Sequence, residues 1–313
     1  MAEQEKNPKE FKSYDEQVDR LVKRGMYIRD RDWAAHKLQQ INYYRLSGYW
    51  YPFRKMAVDE SRRTDSFLPG TTITDVIALY EFDIRLRTAI FAALSPIELT
   101  VRALLGHELG RIAQHIHLDP SRLGPVARRA KSSAPSERYV RWREKYDREL
   151  ALSHEDFVRH HHLRYSGKLP VWAAVEILDW GQLTHLFAMS PHGTRTAVAD
   201  AIGISAPQME SWLKSLNIVR NVAAHHGRMF NRVYDLKPKL PSRSTHPELV
   251  QHASVMNRAF GQLTVIQYIL RRLSIGNPRL IPAVLATYPE VNAVPLRHTG
   301  APNDWNKFPL WDE

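Results

Sequence analysis

Between Thr72 and Leu105 the chain carries an apolar stripe at helical spacing that is long enough to commit it to a helical core. Val76, Leu79, Tyr80, Ile84, Leu86 and Ile90, then Leu94, Ile97, Val101, Leu104 and Leu105, recur at intervals that gather on one face of an α-helix. Thr72, with Asp75 three residues on, has the pattern of an N-terminal cap. Pro96 is expected to kink or divide the helix, because it lacks an amide proton and its ring crowds the preceding turn. Asp83 with Arg87, and Glu98 with Arg102, are opposite charges four apart, the spacing of surface pairs worth about 0.2–0.5 kcal/mol each.

The same period recurs elsewhere. Val18, Leu21 and Val22 predict a short helix ending at Gly25, and Trp33, Ala34, Leu38 and Ile41 a second one leading into residues 42–50. Arg54 to Pro69 is polar and reads as a loop. Pro170 opens a helix from Val171 to Trp180, interrupted at Gly181 before Leu183 to Met189. Ser205-Ala206-Pro207-Gln208 is a capping box that launches Met209, Trp212, Leu213, Leu216, Val219 and Ala223 as a buried stripe. A further helix is expected from His246 to Leu273. No alternating strand, glycine-rich phosphate loop or internal repeat stands out. The expectation is an all-α protein, one domain over residues 1–313, with residues 1–12 flexible, a basic helical insertion at 122–148 and an irregular tail at 276–313.

That insertion holds Arg128, Arg129, Lys131, Arg138, Arg141, Arg143, Lys145 and Arg148, and reads as a helical hairpin turning at Ser132 to Ser136. Tyr139, Trp142 and Tyr146 are interleaved with the cations as stacking platforms for unpaired bases would be. They also share one helical face, and packing is the better reading of them. Arg128, Arg129, Arg141 and Arg143 are the candidate RNA-binding residues.

The net charge of +11 draws the chain to polyanions without naming one. With 43% hydrophobic residues it has ample material for a core. The absence of cysteine excludes disulfides, thiolate metal sites and cysteine nucleophiles. Met1 to Glu10 is charged and lacks the apolar core of a signal peptide. The richest apolar window, Ala89 to Leu109, is broken by Ser95, Pro96, Glu98 and Arg102, so a cytoplasmic protein with no membrane partner is expected. The nucleotide-binding, zinc-protease and serine-hydrolase motifs are missing. His160-His161-His162 with Asp156 is a candidate metal cluster, although consecutive helical residues point about 100° apart and converge poorly on one ion.

Asn217 to Asn231 packs two Arg, two His and three Asn into fifteen positions directly after the buried stripe. Metal-free RNA cleavage needs a base for the 2′-hydroxyl, an acid for the leaving 5′-oxygen, a cation for the phosphorane and a donor to hold the phosphate. Imidazole serves as base or acid near neutrality, and arginine is a permanent bidentate clamp. Arg220 and His225, five apart, diverge by about 140° on a straight helix, whereas Asn221 and His225 share a face. Either the helix is irregular near Gly227, or complementary groups come from a second chain; a buried polar helix crossing is the alternative.

Arg220-Asn221-x-x-x-His225, extended by His226, Arg228 and Asn231, resembles the signature of the HEPN ribonuclease superfamily. The wider pattern resembles bacterial abortive-infection proteins of the AbiD/AbiF kind. It includes Leu21 to Asp30, residues 42–50, residues 79–87, Leu169 to Trp172 with Glu176, and Trp305 to Trp311. The resemblance runs from about Phe11 to Trp311. It implies a HEPN-like helical bundle, a homodimer that brings two motifs together, and metal-independent RNA cleavage without a cofactor. The implied setting is phage defence or a toxin held in check by an RNA or protein antitoxin. On this resemblance Arg220, His225 and Asn221 are the catalytic set, with His226, Arg228 and Asn231 in support. It also gives Glu98 and Arg102 a role in orienting the site, and leaves the 122–148 segment without one. Two other functions stay open: a non-catalytic HEPN module that binds RNA or protein, and a metal hydrolase built on His160 to His162.

Overall fold

The computed structural model describes residues 10–130 and 132–312; Lys131 and residues 1–9, most of the stretch expected to be flexible, lie outside them. The described residues contain thirteen α-helices and one two-stranded sheet, an all-α protein as the periodicity predicts. The described residues divide into two compact units, residues 10–85 with 286–298, and residues 86–285 with 299–312.

The first unit holds α1 (Tyr14–Lys23), α2 (Arg31–Ile41) and α3 (Tyr43–Trp50). Ser13 and Glu16 close a reciprocal cap on α1, whose Val18 and Leu21 are buried, and Gly25 follows the helix at φ 94°. Asn42, at φ 75°, ends α2 and caps α3 by accepting from the Tyr44 amide at 2.8 Å. Tyr43 accepts from Arg24 at 3.2 Å and meets Trp50 edge-on, so it packs at a helix turn. The stretch expected as a loop forms an antiparallel hairpin, β1 (Arg54–Met56) with β2 (Arg63–Phe67). Three paired residues leave no readable alternation, and Arg63 adds side-chain bonds to the carbonyls of Pro52 and Arg54.

Helix α4 (Ile73–Gly110) begins in this unit with Thr72 accepting from the Asp75 amide at 3.0 Å, and continues into the second. Pro96 lies inside it without dividing it. Ala93, Leu94, Ile97 and Val101 are buried on both sides of the proline, and their burial outweighs the roughly 3 kcal/mol a helical proline costs. The expected surface pairs are not on the surface: Asp83, Arg87 and Arg102 are all buried, and Asp83 accepts from Tyr49 Oη at 2.6 Å. By length and composition α4 is the one helix among the described residues that could cross a membrane, and 50% of its apolar window is buried inside the protein.

The second unit continues with α5 (Glu137–Leu152), α6 (Asp156–Arg164), α7 (Val171–Ala174), α8 (Trp180–Met189), α9 (His192–Ile202) and α10 (Ala206–Ala224). After these come α11 (Pro247–Val250), α12 (Ala259–Leu273) and α13 (Leu280–Leu285). Helix α10 packs against α8, α9 and α12, and α5 against α8. Trp180, Trp212, Phe187, Phe230, Phe260 and Trp311 are buried in this unit.

Three expectations need correction here. The basic insertion is not a helical hairpin: before α5 its described residues hold a 3-10 turn at Pro125–Ala127 and an Arg128–Pro135 bridge, and α5 is its one α-helix. The helical interruption falls at Leu178–Asp179, not at Gly181, which lies inside α8. The helix expected over His246–Leu273 is split into α11, a 3-10 turn at Ala253–Val255 and α12. The tail is mostly irregular, as expected, with α13 and two 3-10 turns, and it buries Ile281, Leu285, Trp305 and Trp311, the last stacked on Phe260 at 4.8 Å.

Candidate functional site

Helix α10 is launched as its sequence requires, with Pro207 in the first turn and Gln208 Oε1 accepting from the Ser205 amide at 2.8 Å. Met209, Trp212, Leu213, Leu216 and Val219 are buried, which turns Asn217, Arg220 and Asn221 toward the opposite side. The helix stops at Ala224, and His225 is its exposed C-cap. His226 takes a left-handed conformation at φ 55°, donating to Ala223 O at 3.2 Å, while Gly227 donates to Val222 O at 2.8 Å. This pair of bonds is a Schellman closure with histidine where glycine is usual. The next position admits only glycine, because a Cβ on Gly227 would stand 2.8 Å from Val222 Cγ1.

Helices α5, α8 and α10 enclose a cleft of about 630 Å³. Arg138, Arg141 and Lys145 line it from α5; Asp179, Gly181 and His185 from the start of α8; and Asn217, Arg220 and Asn221 from α10. Its floor is Trp142 and Trp180, whose indole N–H groups are spent on the carbonyls of Gln182 at 3.0 Å and Leu213 at 2.9 Å. Asp179 caps α8 by accepting from the Gln182 amide at 2.7 Å, and Gln182 returns the bond. A Cβ on Gly181 would lie 3.3 Å from Asp179 Oδ1 and at ordinary contact distance, 3.7 Å, from Asn217 Nδ2.

The electrostatics are uneven. Lys145 pairs with Asp179, and Arg141 with Glu137 at 3.1 Å on open surface. Burial raises the Asp179 carboxyl, but its hydrogen bonds from Lys145 and the Gln182 amide, with the Lys145 and Arg220 charges, prevail and hold it below the usual carboxylate range. The walls around His185, then the Arg138 and Lys214 cations, push its imidazole down against the opposing charge of Asp179, so it is held neutral at pH 7. The Arg220 guanidinium lies over the Phe91 ring at 5.8 Å and reaches Asn221 Oδ1 at 3.5 Å, with its buried Nε unbonded. No carboxylate among the described residues is within ion-pair distance of Arg138 or Arg220.

The expected site residues therefore separate. Arg220 and Asn221 enter the cleft with Arg141, while His225 sits past the helix end and does not line it. His226 follows in the turn, and Arg228 and Asn231 are half-buried beyond it. Arg143 turns away, bonded to Asp147 at 2.8 Å and lying over Tyr146. Arg128 and Arg129 line a separate depression at the 125–133 turn. Arg102 donates to the carbonyls of Val175 and Glu176, and to Glu98. The Glu98–Arg102 pair thus braces the turn before α8 and not the motif itself. His160 and His161 both pack against Tyr165, with His161 Nδ1 2.7 Å from the Phe157 carbonyl, while His162 lies against Gly167. No group of three metal-ligating side chains is assembled among the described residues.

Asp179 and His185 are cleft residues that the sequence reading did not single out. Asp179-Trp180-Gly181-Gln182 is itself a capping-box pattern, masked by reading Gly181 as a break. His185 stands alone in an apolar helix and gives no such signal.

The described residues thus form an all-α protein with a cation-lined cleft beside α10. A family model described as Abi-like protein matches residues 36–231, which takes in the cleft and the whole Asn217 to Asn231 segment. The chain belongs to this abortive-infection family. No curated protein and no solved structure matches it significantly.

Proposed function

We propose that this Abi-like protein is a metal-independent endoribonuclease of the HEPN superfamily, acting in phage defence or as a toxin restrained by an antitoxin. The observation that carries the reading is Arg220 and Asn221 opening into a cation-lined cleft on the helix whose exposed cap is His225.

In the proposed reaction Arg220 clamps the scissile phosphate and balances its added charge. Asn221 donates to a phosphate oxygen. The His225 imidazole takes the 2′-hydroxyl proton, the 2′-oxygen attacks phosphorus, and the P–O5′ bond breaks as a protonated imidazole donates a proton to the leaving 5′-oxygen. The products are a 2′,3′-cyclic phosphate and a 5′-hydroxyl. His225 and His226 both stand exposed past the end of α10 and neither lines the cleft, so a C2 homodimer joining two α10 ends would bring a second motif's imidazole to the site.

The test is digestion of total RNA in EDTA with mapped ends. Cutting with cyclic-phosphate ends, abolished by Arg220→Ala or His225→Ala and by deoxyribose at the scissile position, is expected. Cleavage of the deoxy substrate, or activity lost in EDTA and restored by a divalent ion, would refute the reading. Light scattering is expected to give a dimer at micromolar concentration; a fully active monomer would remove the second-imidazole step. A non-catalytic RNA-binding module is the second reading, favoured by the position of His225 outside the cleft, and predicts binding without any cutting.

A further inference from the structure

We infer that the α5–α8–α10 cleft seats the phosphodiester backbone of an unpaired RNA strand, with Arg138, Lys145 and Arg220 as its phosphate contacts and Asp179 as a built-in competitor for Lys145. The choice of RNA as ligand rests on the ribonuclease reading; the site itself rests on the cleft's own chemistry. It also gives the basic insertion a task, since α5 forms one whole wall.

Three observations converge. The cleft volume falls within the range of about 300–1,000 Å³ typical of sites for single small ligands, which suits a nucleotide of a strand and is too confined for a duplex. Arg138 and Arg220 enter it without a carboxylate partner among the described residues, and Lys145 is held by one carboxylate that also serves as a helix cap. A phosphate that displaced the Asp179 side chain from Lys145 would also meet the partial positive end of ten-residue α8, which Asp179 now caps.

The lining also says how the ligand is not held. Trp142 and Trp180 are only 4% and 2% exposed, so they offer bases little ring face for stacking. Recognition falls to the backbone phosphates and to edge contacts from Asn217 and the ring of His185. Such a site tolerates many sequences and depends steeply on salt.

The sign of the Asp179 effect is the sharpest consequence. Asparagine at this position still accepts from the Gln182 amide and so keeps the cap, but it releases Lys145 for phosphate. Binding of a fluorescent single-stranded 2′-O-methyl RNA, which cannot be cut, would be followed by anisotropy with the full chain. Arg138→Gln with Lys145→Gln is expected to weaken binding by about tenfold or more at low salt and to flatten the salt slope by about 1.4. Asp179→Asn is expected to tighten it by about threefold. Arg111→Gln with Arg159→Gln removes the same charge from exposed positions outside the cleft and is expected to change affinity far less. Circular dichroism checks that each variant is folded, and Asp179→Asn reads out a gain that misfolding cannot imitate. Equal losses from the cleft and control pairs, or no tightening in Asp179→Asn, would overturn the inference. If the wild type binds as described yet cuts no RNA, the cleft stands and the ribonuclease reading falls; if it cuts RNA while the cleft variants bind normally, the reverse holds.

Discussion

The two faces of α5 make the same stretch of sequence do unlike things. On one face Tyr139, Trp142 and Tyr146 are buried, Trp142 and Tyr146 stacked at 5.5 Å, and the buried His117 closes against Tyr146 Oη at 3.4 Å. On the other, Arg138, Arg141 and Lys145 line the cleft with Arg220 of α10. The two sets are interleaved along the chain, and only the 100° step per residue sorts them. A basic, aromatic-rich segment is therefore neither a stacking surface nor a plain charged patch. It is a packed face that holds a charged face at a fixed position.

If the aromatic face serves stability and the basic face serves the ligand, substitutions on each should register in different measurements. Trp142→Ala should cost the most, about 3–5 kcal/mol in denaturant unfolding, because it empties a buried site and orphans the Gln182 carbonyl. A loss below 1 kcal/mol would mean the two faces are not separate in kind. Arg220→Ala should next lower RNA cleavage by about 10²–10³-fold at an unchanged melting temperature. A fall in melting temperature that accounts for the lost activity would make Arg220 a structural residue.

Acid tests the same division on the buried side. Burial, then the His115 and Arg143 charges, pushes the His117 pKa down to about 3. An unfolded imidazole binds its proton below about pH 6.5, so between these values acidification favours the unfolded chain by about 1.4 kcal/mol per pH unit. The contribution is fully present above pH 6.5 and falls away toward pH 3. His252 and His185, both lowered first by burial, act in the same direction. His117→Phe should flatten this slope in unfolding curves at stepped pH; an unaltered slope would place the titration elsewhere. The smallest effect is expected from the exposed Glu137–Arg141 pair, where a double-mutant cycle should give a coupling of about 0.2–1 kcal/mol.

Much of the helical frame was legible because it depends on residues near in sequence. The α10 stripe and its Ser205 cap, the Gly25 exit and the Thr72 cap all form as local chemistry requires. The rest turned on distant contacts. Whether Pro96 breaks a helix depends on what packs around it. The break before α12 brings Val255 back over Gly261, where a Cβ would stand 2.2 Å from the Val255 carbonyl oxygen, and periodicity carries no trace of that approach. The cleft is drawn from residues near 140, 180 and 220, so Arg220 and Asn221 were visible as residue types while their surroundings were not. Asp179 and His185 became site residues only through that assembly.

The Schellman turn after Ala224 turns the motif into a ruler. Arg220 and His225 are joined by four residues that lie wholly within α10, so the offset from clamp to cap is measured by backbone hydrogen bonds and not by side-chain fit. Removing any one of Asn221 to Ala224 would swing His225 by about 100° and draw it in by about 1.5 Å. Exchanging Val222 for another helix-forming residue would leave the offset as it is. From Val222 to Ala224, length more than side-chain identity sets this offset.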